Sequence, residues 1–236
     1  MALWYNSGEV SAVFFPEIRS KEDIIRLIEE VGFLPYFRGE IPGFSIEESC
    51  RNLWGTETEP DGPWEWKGPI IRESGCAYGK FYRGRACYIS REWFADFANY
   101  RRDGYDYDAR VDDGLARHKD RRIMELLSER PSLLSKELKA LGCAGEDSRK
   151  SFDASLSFLQ MQCYITTADF EYQLDKYGRR YGWGVARYAT PESLFGADFT
   201  ERVYVREPAE SRERLRAYLS KLLPQADAAQ IDRFLA

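Results

Sequence analysis

Residues 119–163, KDRRIMELLSERPSLLSKELKALGCAGEDSRKSFDASLSFLQMQC, decide the fold. The first part, 119–130, is helical, with Ile123, Leu126 and Leu127 on one face. Pro131 ends it, because proline lacks an N–H and its ring collides with the preceding turn. A second helix follows Ser132 or Ser135. Either hydroxyl is suited to capping the free N–H groups, and Gly142 is expected to supply a left-handed ending. The third, 146–162, sets Phe152, Leu156, Leu159 and Cys163 at i, i+4, i+7 and i+11, a buried stripe. Arg149, Asp153, Ser157 and Gln160 then fall on the opposite face, toward solvent.

Beyond this stretch, residues 163–175 (CYITTADFEYQLD) read as a strand. Residues 176–184 (KYGRRYGWG) are turn-rich and basic, and 185–190 (VARYAT) return as a second strand. Three short helices followed by a hairpin is the order of a winged helix-turn-helix domain, here over residues 111–196. A three-helix domain with an unrelated hairpin after it fits the same pattern.

Toward the N-terminus, residues 103–113 (DGYDYDARVDD) are acidic and start another helix leading into that domain. The domain boundary is placed near Asp103 to Leu115. The aromatic-rich first 110 residues form an α+β domain of their own. A degenerate winged helix is one form it could take, which would make the chain a tandem. Within it, Ser20 opens a helix with the capping box SKED. Ile24, Leu27, Ile28 and Val31 make its apolar face, and Gly32 ends it. Residues 33–49 (FLPYFRGEIPGFSIEES), with two prolines and two glycines, read as a packed loop carrying a short helix near 46–52. The SAVFF segment closed by Pro16 reads as an edge strand or docking arm. CAYGKFYRGRACYI, 76–89, reads as two strands joined at Arg83-Gly84, and Ser90 caps a helix that buries Trp93, Phe94 and Phe97. After the second domain come a short helix entered through Pro191, a strand at 201–207 (ERVYVRE), and two closing helices separated by Pro224, together a C-terminal segment of 197–236.

Composition narrows the function. The 236 residues are 44% hydrophobic and 15% aromatic, enough for real cores and against wholesale disorder. A net charge of −5 argues against a dedicated basic nucleic-acid binder, so phosphate contacts require a local patch. The beginning, MALWYNSGEV, lacks the basic start and apolar core of a signal peptide, and no run approaches the roughly 18 apolar residues of a membrane span. Five scattered cysteines without a CxxC read as reduced thiols, and cytoplasmic localisation is expected. A single histidine, His118, and the lack of cysteines spaced as chelating pairs argue against a structural zinc, and no metal or other cofactor is expected.

The candidate nucleic-acid contacts are Arg149, Lys150, Ser157 and Gln160 on the third helix, with Lys176, Arg179 and Arg180 at the hairpin tip. Arginine suits guanine and glutamine adenine in the major groove, and the tip suits phosphates. A second candidate is a pocket in the tryptophan-rich block, from Trp64, Trp66, Tyr78 and Lys80, with Asp61 or Glu65 to contribute a carboxylate. On a strand, Trp64 and Trp66 would share one face, and aromatic walls suit base stacking. The third helix equally suits packing against the N-terminal domain without touching nucleic acid, the tip suits a solvated turn, and the aromatic block suits an ordinary core. No catalytic residue is assigned: a Ser–His–Asp or Cys–His pair would need His118, which sits in the charged run ARHKDRR, and no GxxxxGKS loop is present.

The sequence DGPWEWKG, then CAYGKFYRGRACYISREWF, then the hairpin ending YGWGVARY resembles bacterial winged-helix proteins described as AlkZ-related, over roughly Lys21 to Phe195. Their namesakes, the AlkZ/YcaQ-type DNA glycosylases, excise alkylated bases. The resemblance implies a winged-helix plan and a link to DNA repair. Those glycosylases carry a Gln-x-Gln or Gln-x-Asp motif near the N-terminus that positions the attacking water. Here no glutamine precedes Gln160, and Gln160-Met161-Gln162 lies late in the third helix. The expected function is therefore a winged-helix nucleic-acid-binding protein without catalysis, binding double-stranded DNA weakly. A glycosylase flipping a base into the tryptophan block, and a protein-interaction module that never touches DNA, are the alternatives.

Overall fold

Ser20 opens the first helix, α1 (Lys21–Val31), with a reciprocal cap. Its hydroxyl accepts the Asp23 N–H at 3.3 Å, and the Asp23 carboxylate accepts the Ser20 N–H at 3.1 Å. Gly32 ends it at φ 71°, as the sequence predicts. The structure, a computed structural model, describes residues 15–50, 62–143, 146–178 and 180–236; for residues 146–150, 180, 181 and 183 it describes the backbone. The SAVFF segment, apart from Phe15, lies outside the described residues, as does Asp61.

The segment read as a packed loop begins instead with a strand, β1 (Phe33–Pro35). It is three residues long and buried throughout, so it shows no alternation, and its proline masks it further. A short helix, α2 (Ile46–Ser49), follows. The tryptophan block is a helix, α3 (Pro63–Ser74), and not a strand. Pro63 sits at its first turn, where a missing N–H costs nothing, and the Glu65 carboxylate accepts the Gly62 N–H at 3.0 Å. Prolines and glycine in PWEWKGP hid this helix from a propensity reading.

Strands β2 (Ala77–Tyr82) and β3 (Arg85–Ile89) form the expected hairpin. Its two turn residues, Arg83 (φ 48°) and Gly84 (φ 77°), are both left-handed, the backbone that matches the twist of paired strands. The sheet order is β1-β3-β2, all antiparallel. Next come α4 (Arg91–Arg102), which buries Trp93, Phe94 and Phe97, and α5 (Tyr107–Asp112), capped by Asp106.

The 119–190 stretch folds as α6 (His118–Ser128), β4 (Leu133–Leu134), α7 (Ser135–Gly142), α8 (Glu146–Met161), β5 (Thr166–Leu174) and β6 (Arg180–Ala189). Its sheet order is β4-β6-β5. Phe152, Leu156, Leu159 and Cys163 are buried as the spacing predicts. Two end assignments differ. Neither serine caps α7; the Glu137 carboxylate accepts the Leu134 N–H at 2.9 Å instead, while Ser132 Oγ accepts from Arg187. Gly142 is the last helical residue and not left-handed. Its lack of a side chain leaves room for Phe152, whose ring would lie 2.7 Å from a Cβ there.

Among the described residues the order helix, short strand, helix, helix, hairpin thus occurs twice, with the same strand order each time. The two copies share no legible sequence repeat. After the second come α9 (Pro191–Phe195), α10 (Ala197–Thr200), α11 (Pro208–Leu222) and α12 (Ala228–Leu235). ERVYVRE is a run of turns and bends and no strand, with Val203 buried and Tyr204 and Val205 exposed.

Two apolar cores result among the described residues. One joins α1, the first sheet and α4 to the C-terminal helices through Phe33, Tyr82, Trp93, Leu219 and Phe234. The other lies within the second copy, among Ile123, Leu126, Leu138, Leu156 and Tyr188. The C-terminal segment therefore completes the core of the N-terminal half. Arg102 of α4 is fully buried and binds both sides: it donates to Glu192 at 2.6 Å, to the Tyr204 hydroxyl at 2.8 Å and to the Cys163 carbonyl at 2.7 Å. The fold is mixed α+β. No helix among the described residues is long and apolar enough to cross a membrane.

Candidate functional site

The first sheet and α3 meet α8 and β5 along a seam built from polar and aromatic side chains. Thr166 Oγ1 accepts the Tyr78 N–H at 3.3 Å and donates to the Tyr78 carbonyl at 3.0 Å, holding β5 against β2. Arg72 of α3 pairs with Asp169 of β5. Gly68 permits this approach: a Cβ there would lie 2.8 Å from Asp169 Oδ1 and 3.4 Å from the Phe170 nitrogen.

Lys67 is enclosed at the centre of the seam. It is only 4% exposed, with its ammonium 3.3 Å from the Trp64 ring centroid and 4.4 Å from that of Phe170. Burial pushes the ammonium down to about 8, since removal from water disfavours the charged form, while Glu65 pulls weakly the other way. The two ring faces supply part of the lost solvation. Around it, Tyr78 packs on Tyr88 at 4.6 Å and on Phe170 at 5.7 Å, and Trp64 meets Tyr36 edge-on at 5.9 Å. Burial also pushes the Tyr78 and Tyr88 phenols well above their usual value. Chemically, this is an amine held partly neutral near pH 8 but packed between rings.

The residues singled out from sequence separate accordingly. Trp64, Glu65, Trp66 and Tyr78 do lie at or beside the seam, but Trp64 and Trp66 are on a helix, both half-buried, and so do not share a strand face. Glu65 is spent on capping α3. Lys80 of β2 is exposed and its backbone N–H is engaged with α8, through Gln160, and Asp61 is outside the described residues. Nothing local in the sequence distinguishes Lys67, Arg72 and Asp169, which only the fold brings to the seam. The glycine after Lys67 was the only sequence sign of a close approach.

On α8, Asp153 is exposed and paired with Lys139 at 2.7 Å, and Ser157 is half-buried. The side chains of Arg149 and Lys150 are outside the described residues. Gln160 is the correction. It is 2% exposed, accepting the Lys80 N–H at 3.1 Å and donating to the Leu156 carbonyl at 3.3 Å. Four residues after Leu156, Gln160 lies on the same flank of α8 and not opposite it, and β2 of the first sheet covers that flank.

The hairpin tip is open. Lys176 and Tyr177 are exposed, with the ammonium 4.9 Å from the tyrosine ring centroid, and Leu174 is also exposed. Arg179 lies outside the described residues, and Arg180 begins β6 opposite Leu174. His118, at the first position of α6, is exposed. The five cysteines are free thiols, and among the described residues no group of three or more His, Cys, Asp or Glu is placed to hold a metal ion.

Neither curated proteins nor solved structures give a match to this chain. A family model described as AlkZ related matches residues 18–236, nearly the whole length, covering the seam, the hairpin and the C-terminal helices together. The protein belongs to the AlkZ-related family.

Proposed function

We propose that the chain is a tandem winged-helix protein that binds double-stranded DNA weakly, in association with DNA repair, and carries no base-excision chemistry of its own. The observation that supports this is the doubled order of helix, short strand, helix, helix and hairpin with matching sheets. The units divide near residue 110, and the second runs to about 196. In such a unit the third helix reads a groove and the hairpin touches the backbone.

Here the groove-reading role is curtailed. Gln160 is buried against β2, and Asp153 brings a carboxylate to the exposed face. Arg149, Lys150 and Ser157 are the contacts that α8 retains in this reading. Lys176, Arg179 and Arg180 at the tip supply the main contacts, to phosphates, which position a protein without specifying sequence. The net charge of −5 keeps the binding weak and sensitive to salt.

The test is fluorescence anisotropy on a duplex over a salt series. Expected is an affinity that falls steeply with salt and is lost when Lys176, Arg179 and Arg180 are all changed to Glu, at unchanged thermal stability. An absence of binding at low salt defeats the reading. Release of methylated bases above the spontaneous rate would overturn its non-catalytic part.

A further inference from the structure

A cavity of about 210 Å³ opens between α4 and the start of α11, lined by Asp96, Arg202, Arg206 and Arg214 with Ala95 and Val205. Its charge is unbalanced: three guanidiniums face one carboxylate, in a chain that is acidic overall. Each arginine side chain is about 40% exposed, so the N–H groups are accessible to a ligand and the sites are not closed ion pairs.

The arginines are positioned by buried groups. Asp96 is 5% exposed and lies at the base, 3.4 Å from Arg206 Nη1 and 3.3 Å from Arg214 Nη1, with Ser211 Oγ donating to it at 3.0 Å. Asn99 donates to Ser211 Oγ at 3.0 Å and to the Arg206 carbonyl at 2.8 Å, so Arg206 is held by backbone and side chain together. Arg214 lies over the Trp93 ring at 5.0 Å. Arg202 donates to the Glu92 carbonyl at 2.9 Å and meets Asp198 Oδ1 only at 3.5 Å, while Arg91 pairs with Oδ2 of the same carboxylate at 2.9 Å. Contacts of 3.3–3.5 Å are long for charge-assisted bonds, which run about 2.7–2.9 Å. The strong donor capacity of the three guanidiniums is therefore largely unspent.

We propose that this cavity binds a phosphate group, as a phosphomonoester or a nucleic-acid end. A phosphate carries about −1.5 to −2 charges at neutral pH, matching the surplus of two positive charges, and its oxygens suit planar guanidinium donors. The cavity has about seven water volumes, room for a phosphate and the first atoms of its carrier. Asp96 does not oppose this: both its oxygens are engaged at the base, and it orients two of the donors. The site is independent of the hairpin tip, so either can fail without the other.

The test is calorimetric titration of the full chain with inorganic phosphate, then anisotropy with a duplex bearing or lacking a 5′-phosphate. Expected is saturable one-to-one phosphate binding, at least tenfold weaker in the Arg206→Gln/Arg214→Gln double variant. If that double variant fails to fold, Arg202→Gln alone, at the rim, should weaken binding severalfold with unchanged melting. A 5′-phosphate that strengthens duplex binding, with the gain lost in the variant, assigns the carrier as a nucleic-acid end. Phosphate binding with no such gain assigns a small phosphomonoester. No saturable binding by about 10 mM phosphate, in the range of the weakest specific affinities, or binding unchanged in the variants, overturns the proposal.

Discussion

Gln160 accepts the backbone N–H of Lys80 at 3.1 Å, tying the third helix of the second unit to a strand of the first. A glutamine whose chemistry would suit a DNA groove is thus part of the joint between the two halves. The same joint uses Thr166 on Tyr78 and Arg72 on Asp169. Its polar groups satisfy one another, which is what allows them to be buried.

Gln160→Ala should therefore lower stability by about 1–3 kcal/mol, because the Lys80 N–H loses its acceptor, and leave duplex affinity unchanged. Urea denaturation beside anisotropy separates the two effects. Affinity lost at full stability would return Gln160 to the interface.

Lys67→Met should stabilise the protein near neutral pH, with an advantage that shrinks as pH rises. Folding lowers the ammonium from 10.5 to about 8, so between those values the unfolded chain holds a proton that the folded chain has released. Stability from this group consequently rises with pH across that window, and the charge penalty is fully present below about 8. The shift corresponds to on the order of 3 kcal/mol, less whatever the ring contacts return. Buried thiols oppose it: burial raises Cys50 to about 11 and Cys76 and Cys163 to about 12 from 9.0, so each loses stability above pH 9. The difference between wild type and variant, measured at pH 7.5 and 9.5, cancels the thiols. A gap that does not narrow would mean that Lys67 is not desolvated.

Arg102→Lys should cost about 2 kcal/mol or more despite keeping the charge. One ammonium cannot replace a planar group that meets Glu192, Tyr204 and the Cys163 carbonyl while lying 4.7 Å from the Tyr164 ring. Thermal unfolding within 1–2 °C of wild type, well short of the shift such a loss implies, would show that the contacts are slack.

Gly142→Ala and Gly84→Ala should differ in cause and in size. At 142 the new methyl meets Phe152 at 2.7 Å inside a core, a clash worth about 1–3 kcal/mol. At 84 nothing lies within 4 Å and only the left-handed backbone is strained, about 1–2 kcal/mol. Leu156→Ala in the same core as Phe152 should cost about 2–5 kcal/mol as a cavity. Chemical denaturation of the three variants checks the ranking, and a neutral Gly142→Ala would show that Phe152 moves aside freely.

Much of this architecture was legible along the chain. The cap at Ser20, the turn at Arg83-Gly84, the stop at Pro131 and the stripe through Phe152, Leu156 and Leu159 each depend on neighbours within a few residues. Local backbone preference and apolar period suffice for such features. The tertiary structure alone decided the rest. β1 is a strand because β3 lies beside it, and α3 is a helix whose prolines and glycine obscure its pattern. Gln160 is buried because β2 covers its face, and Lys67 titrates near 8 because Phe170, 103 positions away, closes over it. Arg202 and Arg206 of the turn run and Arg214 of α11 surround one cavity with Asp96 only once α4 and α11 pack together. Desolvation and convergence of charge depend on which surfaces meet, and no window of sequence contains both sides of a contact.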